Sequence, residues 1–472
     1  MKKRFLMALL ALSMASASLA GCGSGNPEES SVVSEQSSES VQEFSEGSET
    51  KESEASVDSE AEETSGASEV QEETPILKEA VLKNFGCRVG CAATEGEMND
   101  PKVWEIITTH FNAITFGNEL KPDAMVGYSV GRCPGTEEAE LNGETIIVPR
   151  LDYSRAERML NKVYDWNQEH PDDKIMVKGH VLLWHAQTPE WFFHVDYDKN
   201  KDYVDKETMN KRLEWYIRTM LTHFTGPDSK YKDMFYGWDV VNEAIGGQPE
   251  IYRTDKENPN ESLSEDRHDS NSSWWHVYQS NEFIINAFIY ANKYAPADLE
   301  LYYNDYGECD GVKITRIKQL LKAIKEHEGE PGVGTRIDAM GMQAHYNMSS
   351  PAFNMFQYAI EQYSSIVGAV NISEFDMNAS DDYDGSEEAK VVEYEKQYKR
   401  YRLLAKVMKN AVQNDGINIS SITFWGTTDD HSWLQNTSNL GGGSTKKKSQ
   451  CPLLFDENGE IKPAFYAFTE EE

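Results

Sequence analysis

Basic residues are scarce in this sequence: 45 Lys and Arg stand against 80 Asp and Glu, a formal net charge of −35 over 472 residues. That balance excludes nucleic acid as a partner, because phosphate recognition needs clustered Lys and Arg. Cysteine is scarce too, six in all, and no Cys-x2-Cys pair is matched by a second; zinc-finger spacing is therefore missing, and no metal or other cofactor is expected. Cys87 and Cys91 fall four residues apart in a stretch expected to be a strand. At ~3.3 Å per residue they stand about 13 Å apart, too far for a disulfide. Cys87, Cys91, Cys133, Cys309 and Cys451 are expected to be mostly free or buried thiols. Past the first 22 residues no apolar run approaches the roughly 18 residues that span a bilayer.

Apolar side chains are also nearly missing from residues 23–74, which are mostly Ser, Glu, Gly and Thr and carry 16 acids and one Lys. Such a segment cannot bury enough apolar surface to offset its ordering entropy, so residues 22–75 are expected to be a disordered linker. Mutual repulsion would extend it beyond the ~40 Å of a flexible coil of that length. Before it, Lys2, Lys3 and Arg4 precede a short apolar stretch from Phe5 to about Ala17, as in a signal peptide. Leu19-Ala20-Gly21-Cys22 resembles the bacterial lipobox. That resemblance implies a lipoprotein signal peptide over residues 1–21, a lipidated Cys22, and an extracytoplasmic, cell-surface protein touching the membrane only through its anchor. The remaining chain carries −23, which favours a self-repelling monomer and a neutral substrate.

What is abundant lies after residue 76: Trp, Tyr and Phe, in a sequence that alternates short β-rich runs with longer amphipathic ones. Strands are predicted at 85–92, 112–116, 175–183, 235–242, 299–304, 337–344, 368–373 and 421–425. Helical segments are predicted at 154–169, 206–224, 274–294, 312–328 and 387–414. Eight such alternations predict an α/β fold, a (β/α)8 TIM barrel over residues 76–472. The stretches 127–150, 193–206, 246–273 and 434–450 read as irregular insertions after strands, on the side where a barrel builds its active site.

Polar and aromatic residues gather at the predicted strand ends: His180 and Trp184 after strand three, Asn242-Glu243 after strand four, Asn304-Asp305-Tyr306 at strand five. Gln343 and His345 follow at strand six, Glu374 and Asp376 at strand seven, Trp425 and Trp433 at strand eight. Glu243 and Glu374 stand on strands that face each other across a barrel mouth. Paired carboxylates suit glycoside hydrolysis, one as acid and one as nucleophile, with ~5–5.5 Å between them for a retaining reaction. Trp and Tyr faces suit sugar rings; His, Gln and Asn suit hydroxyls.

These motifs are similar to those of glycoside hydrolase family 10 xylanases. The similarity runs through the block from His110-Phe111-Asn112 to Pro122, then 179–189, 238–244, 272–275, 303–306, 343–345, 372–376, 425–433, Pro452-Leu453-Leu454-Phe455-Asp456 and Lys462-Pro463-Ala464-Phe465. The resemblance implies an endo-1,4-β-xylanase acting on xylan and xylo-oligosaccharides, with Glu243 as acid/base and Glu374 as nucleophile. It further implies that Asn242 holds the sugar 2-hydroxyl and that His345, bridged to Asp376, orients Glu374. Gln343 would bond near Glu243 or the sugar, His180 and Trp184 would line the cleaved sugar, and Trp425 and Trp433 would form roof and floor. Asn118 and Lys121 would grip the next sugar. The family usually reads Glu-Asn-x-Met-Lys where this chain has Gly117-Asn118-Glu119-Leu120-Lys121, so the Glu that grips that sugar is Gly117 here: either Glu119 or a loop residue compensates, or that grip is weaker.

Other readings attach to the neighbours. Asp239 reads as structural, His185 and Gln187 as supports, and Asn304 and Tyr306 as site lining or plain strand-end residues. A mannanase or glucanase shares the two carboxylates, and a surface lipoprotein that only captures xylo-oligosaccharides is the non-enzymatic rival.

Overall fold

The computed structural model describes residues 74–246, 251–254, 272–436 and 449–470. The lipobox, the signal peptide and nearly all of the acidic linker lie outside the described residues, as do most of the stretches 246–273 and 434–450.

Eight parallel strands close on themselves: β1 (Arg88–Ala93), β2 (Ala113–Phe116), β3 (Met176–Gly179), β4 (Phe235–Asn242), β5 (Glu300–Asp305), β6 (Ala339–Met342), β7 (Ala369–Asn378) and β8 (Asn418–Phe424). Each pairs with the next, and β8 pairs with β1 through Ser421 opposite Arg88. Strands covered by helices outside and side chains inside are apolar on both faces; every residue of β2, β4 and β6 is buried. The helices start where short polar side chains can accept backbone N–H groups. Asp100 caps Pro101–His110, Asp205 caps Lys206–Thr225, Asp310 caps Gly311–Glu326 and Ser386 caps Glu387–Gln413. Among the described residues no helix is long and apolar enough to cross a membrane.

Three local expectations are corrected. The first strand does not begin at Phe85: Leu77–Phe85 is a helix, with Leu77, Val81 and Phe85 buried at helical spacing and Gly86 ending it at φ 67. Cys87 therefore precedes β1 rather than sharing a strand face with Cys91. The described cysteines are free, all but Cys133 fully buried, and burial pushes the Cys91 thiol up to about 12. Second, residues 127–150 are not irregular throughout. They hold an antiparallel hairpin, Thr136–Leu141 with Glu144–Pro149, turning at Asn142 (φ 52) and Gly143 (φ 86), the positive-φ pair that a two-residue hairpin turn requires. Third, residues 274–294 are two helices, Ser273–Tyr278 and Glu282–Tyr294, broken at Gln279 (φ 51).

Glycine also sets the packing between the barrel and its helices, where Trp238 meets Phe224 of Lys206–Thr225. A Cβ on Gly179 would lie 2.0 Å from the ring of Trp238, so β3 has no side chain where β4 inserts its indole. Gly179→Ala is expected to destabilise the barrel by about 1–3 kcal/mol through overpacking. Thermal melts followed by near-ultraviolet circular dichroism check this, and an unchanged midpoint would refute the packing argument.

Candidate active site

The mouth of the barrel is assembled from strand ends, and its polar atoms form one connected network. Asn242, the last residue of β4, directs its side chain inward. Glu243 follows with φ 55, a left-handed backbone that side-chain-bearing residues seldom adopt. Its N–H is held by the Asn304 carbonyl at 2.9 Å. The Glu243 carboxylate, 6% exposed, accepts from Gln343 Nε2 at 2.9 Å and Asn242 Nδ2 at 3.2 Å on one oxygen. Trp184 Nε1 donates to the other at 2.9 Å.

Glu374 stands on β7, 4% exposed. Asn304 Nδ2 donates to Oε1 at 2.7 Å, and His345 Nε2 lies 3.2 Å from Oε2. Glu374 and Asp376 share a strand face, being two residues apart. His345 pairs in register with Asp376, and its Nδ1 reaches Asp376 Oδ1 at 2.9 Å. Trp433 Nε1 donates to the other Asp376 oxygen at 2.7 Å. Burial opposes charge on His345, but Asp376 and Glu374 outweigh it and hold the imidazole protonated well above its usual range. Burial alone would raise Glu374 as well. The His345 hydrogen bond, with the charges of His180, His345 and Lys178, outweighs that cost and holds the carboxyl at about 2.

Below the two carboxylates lies an ionic layer. Lys178 Nζ and His180 Nδ1 both reach Asp239 Oδ2, at 3.0 and 2.8 Å, with all three side chains buried. Trp425 presents its ring edge-on to His180 at 5.4 Å, and Trp433 does so to His345 at 5.2 Å. On the facing wall Lys121 lies over the Trp184 ring at 5.1 Å and donates to Asn118 Oδ1 at 3.3 Å. Burial pulls Lys121 down, opposed by Glu374, Asp123, Glu243 and Glu119. Gln187 holds that wall in place: its carbonyl accepts from Asp123 N at 2.8 Å, and its side chain donates to Asp123 Oδ2 at 3.2 Å. Tyr306 accepts from Arg253 at 3.2 Å and lies beneath Lys313. Burial, then Arg253 and Lys313, keep His185 neutral far below the usual histidine range.

Glu119 does not project into the mouth. Its two oxygens accept the backbone N–H groups of Glu95 and Asn118, each at 3.2 Å, and it is buried. Above Gly117 an added Cβ would meet Thr94 Cγ2 at 3.5 Å and the Ala93 carbonyl at 3.8 Å or beyond, ordinary contacts.

Two members of the network were not assigned roles from sequence. Asn304, weighed only as lining, links both carboxylates: its Nδ2 also donates to Asn242 Oδ1 at 3.0 Å, and its Oδ1 accepts from Ser373 at 2.6 Å. Lys178 carried a signal, since a lysine inside the apolar run Ile175-Met176-Val177 must find a buried counter-charge. Among the described residues no group of three or more His, Cys, Asp and Glu is placed to hold a metal ion.

Residues 76–471 match the pattern of Glycosyl hydrolase family 10. The chain belongs to that family. Among relatives, it is 30% identical over 410 residues to endo-1,4-beta-xylanase A of Thermotoga maritima, covering 86% of this chain and 31% of that one. It is 31% identical to endo-1,4-beta-xylanase Y of Acetivibrio thermocellus, covering 85% and 32%. The chain thus spans about a third of the length of these curated relatives. Among solved structures, an endo-1,4-beta-xylanase from Caldicellulosiruptor owensensis superposes with a TM-score of 0.63 at 27% identity, over 84% of this chain and all of the other. The N-terminal endo-1,4-beta-D-xylanase 10B of Clostridium thermocellum, complexed with xylohexaose, gives 0.64 at 28% identity, over 84% and 67%.

The lowered Glu374 pKa sets a stability window. Its folded value lies below the ordinary 4.5, so its contribution is complete above that pH and is lost as pH falls toward about 2. The loss should be on the order of 3 kcal/mol. Denaturant melts between pH 5 and 2 should show Glu374→Gln losing less stability over this window than the parent; parallel curves would refute it.

Proposed function

We propose that this chain is a retaining endo-1,4-β-xylanase, with Glu374 as nucleophile and Glu243 as acid/base. The observation that carries the reading is the unlike treatment of two buried carboxylates in one network. Glu374 is kept ionised by a charged imidazole, while Glu243 is contacted by the neutral N–H donors of Trp184, Gln343 and Asn242. In the first step a Glu374 oxygen attacks the anomeric carbon, the glycosidic bond breaks, and Glu243 gives its proton to the departing oxygen. In the second, Glu243 takes a proton from water, whose oxygen attacks the same carbon and releases Glu374. Asn242 holds the 2-hydroxyl, Asn118 and Lys121 grip the neighbouring sugar, and His180, Trp184, Trp425 and Trp433 enclose the ring. The Gly117 replacement leaves that neighbouring grip short of one acceptor, worth about 1–2 kcal/mol. The family relatives named for xylanase activity support xylan and xylo-oligosaccharides as the substrates over glucan or mannan.

Glu374→Ala is expected to abolish turnover of every substrate. Glu243→Ala should keep kcat/KM on aryl xylobiosides with good leaving groups, lose it on xylan, and regain turnover with added azide. Equal loss on both kinds of substrate by a folded Glu243→Ala variant would sink the assignment.

We further propose that Cys22 becomes the lipidated N-terminus after removal of residues 1–21, and that residues 22–75 act as an acidic spacer holding the monomeric barrel outside the cell membrane. Support comes from the charged start, the apolar stretch and the Leu19-Ala20-Gly21-Cys22 motif. Cells expressing the full chain should incorporate labelled palmitate into it, and Cys22→Ser should abolish the label. Unchanged labelling would refute the anchor.

A further inference from the structure

The acid/base reading of Glu243 raises a mechanical question, because this side chain is carried by a turn rather than by the sheet. β4 ends at Asn242, and the left-handed backbone at Glu243 takes the chain off the barrel. Where the carboxylate points therefore depends on whatever fixes residues 243–246.

Arg316 donates to the Gly246 carbonyl at 3.3 Å, and the peptide groups next to Glu243 are held by Tyr303, backed by Asp305, and by Arg253. Tyr303, fully buried on β5, places its hydroxyl against the backbone N–H groups of both Ala244 and Ile245, accepting each at 3.1 Å. It donates in turn to Asp305 Oδ2 at 2.5 Å. All the bonding capacity of that hydroxyl is thereby used. Burial, then Asp305, raise Tyr303 well above the usual tyrosine range, so it keeps the proton it donates. Asp305, also fully buried, accepts from Lys313 Nζ at 2.8 Å and Tyr306 N at 2.9 Å on its other oxygen. From the other side Arg253 Nε donates to the Glu243 carbonyl at 3.1 Å, and its guanidinium reaches Tyr306 Oη at 3.2 Å. The Arg253 N–H also bonds the Ala244 carbonyl at 2.8 Å. None of these side chains is hydrogen-bonded to either carboxylate.

We propose that Tyr303, Asp305 and Arg253 are positioning residues for Glu243, forming a brace on the peptide groups that flank it and setting the direction of proton transfer. β5 then serves both carboxylates. Asn304 points toward the mouth and holds Glu374. Its neighbours Tyr303 and Asp305, on the opposite strand face, hold the Glu243 turn. A buried hydroxyl bridging two backbone N–H groups to a carboxylate is costly to leave half-paired, so the turn is held in one geometry.

This inference rests on Glu243 being the acid/base, and it predicts a signature that general destabilisation does not give. Misplacing the acid should hurt in proportion to how much the departing group needs a proton. In the full chain, Tyr303→Phe is expected to lower kcat/KM on phenyl β-xylobioside about tenfold, the kinetic equivalent of one hydrogen bond. On the 2,4-dinitrophenyl analogue the loss should stay within about twofold, because that group departs unprotonated. Arg253→Lys, which keeps the charge but loses the Nε contact, should show the same dependence on leaving group, and it decides the matter if Tyr303→Phe does not fold. Glu243→Ala assayed on the same series separates the two claims. A flat Glu243→Ala profile overturns the acid/base reading. A steep Glu243→Ala profile with uniform or no loss in the folded brace variants overturns the brace alone.

Discussion

The structure depends on one electrostatic constraint: a carboxylate that is 4% exposed must nevertheless stay ionised. Removing such a group from water is expensive unless its charge is met and its lone pairs are filled. Glu374 meets the requirement with His345, and His345 stays charged because Asp376 on its far side and Glu374 itself outweigh its burial. Asp376 in turn takes the Trp433 N–H. Lys178, His180 and Asp239 form a second layer beneath, where the Lys178 ammonium reinforces the same charge. Remove one member and its neighbour becomes an unpaired buried charge. That interdependence fixes several strand ends at once.

The constraint also explains why the two carboxylates differ although they share a mouth. One is bound to a cation that is itself bound to an anion, which favours a permanent negative charge. The other receives N–H bonds from an indole and two amides. Neutral donors orient a carboxylate without committing a counter-ion to it. A group that exchanges a proton in each step of a double displacement needs orientation; a group that attacks carbon needs charge. The proposed roles follow from that difference more than from position along the chain.

Much of this was legible in the sequence because barrel strands are short, apolar and separated by amphipathic helices, so their ends can be counted. β4 was predicted at 235–242 and is found there. Counting those ends places Glu243 just after β4 and Glu374 on β7. The start of β1 was misjudged because Phe85-Gly86-Cys87 is apolar in either state; the helical spacing of Leu77, Val81 and Phe85 decides it. The hairpin turning at Asn142-Gly143 carries its own signal in that positive-φ pair. Asn304 was harder. An asparagine at a strand end bonds to whatever faces it, and its partners lie 62 and 70 residues away. Glu119 shows the same limit, since a carboxylate beside a binding segment can turn back onto backbone N–H groups instead of facing the substrate.

The sheet order gives the network its shape. Between β4 and β7 the barrel has two strands, and each supplies a connecting side chain: Asn304 from β5 and Gln343 from the end of β6. The bonds run Glu243 to Asn242, Asn242 to Asn304, and Asn304 to Glu374, with Gln343 closing onto both Asn242 and Glu243. The distance between the two carboxylates is therefore set by strand spacing and by amides whose partners are already assigned. Gly341 completes the arrangement, because a Cβ there would fall 2.3 Å from Asn304 Oδ1. A side chain on β6 at that height would displace the asparagine that joins the two halves of the site. The glycine in one strand, the amide in the next and the two carboxylates on either side thus form one geometric unit.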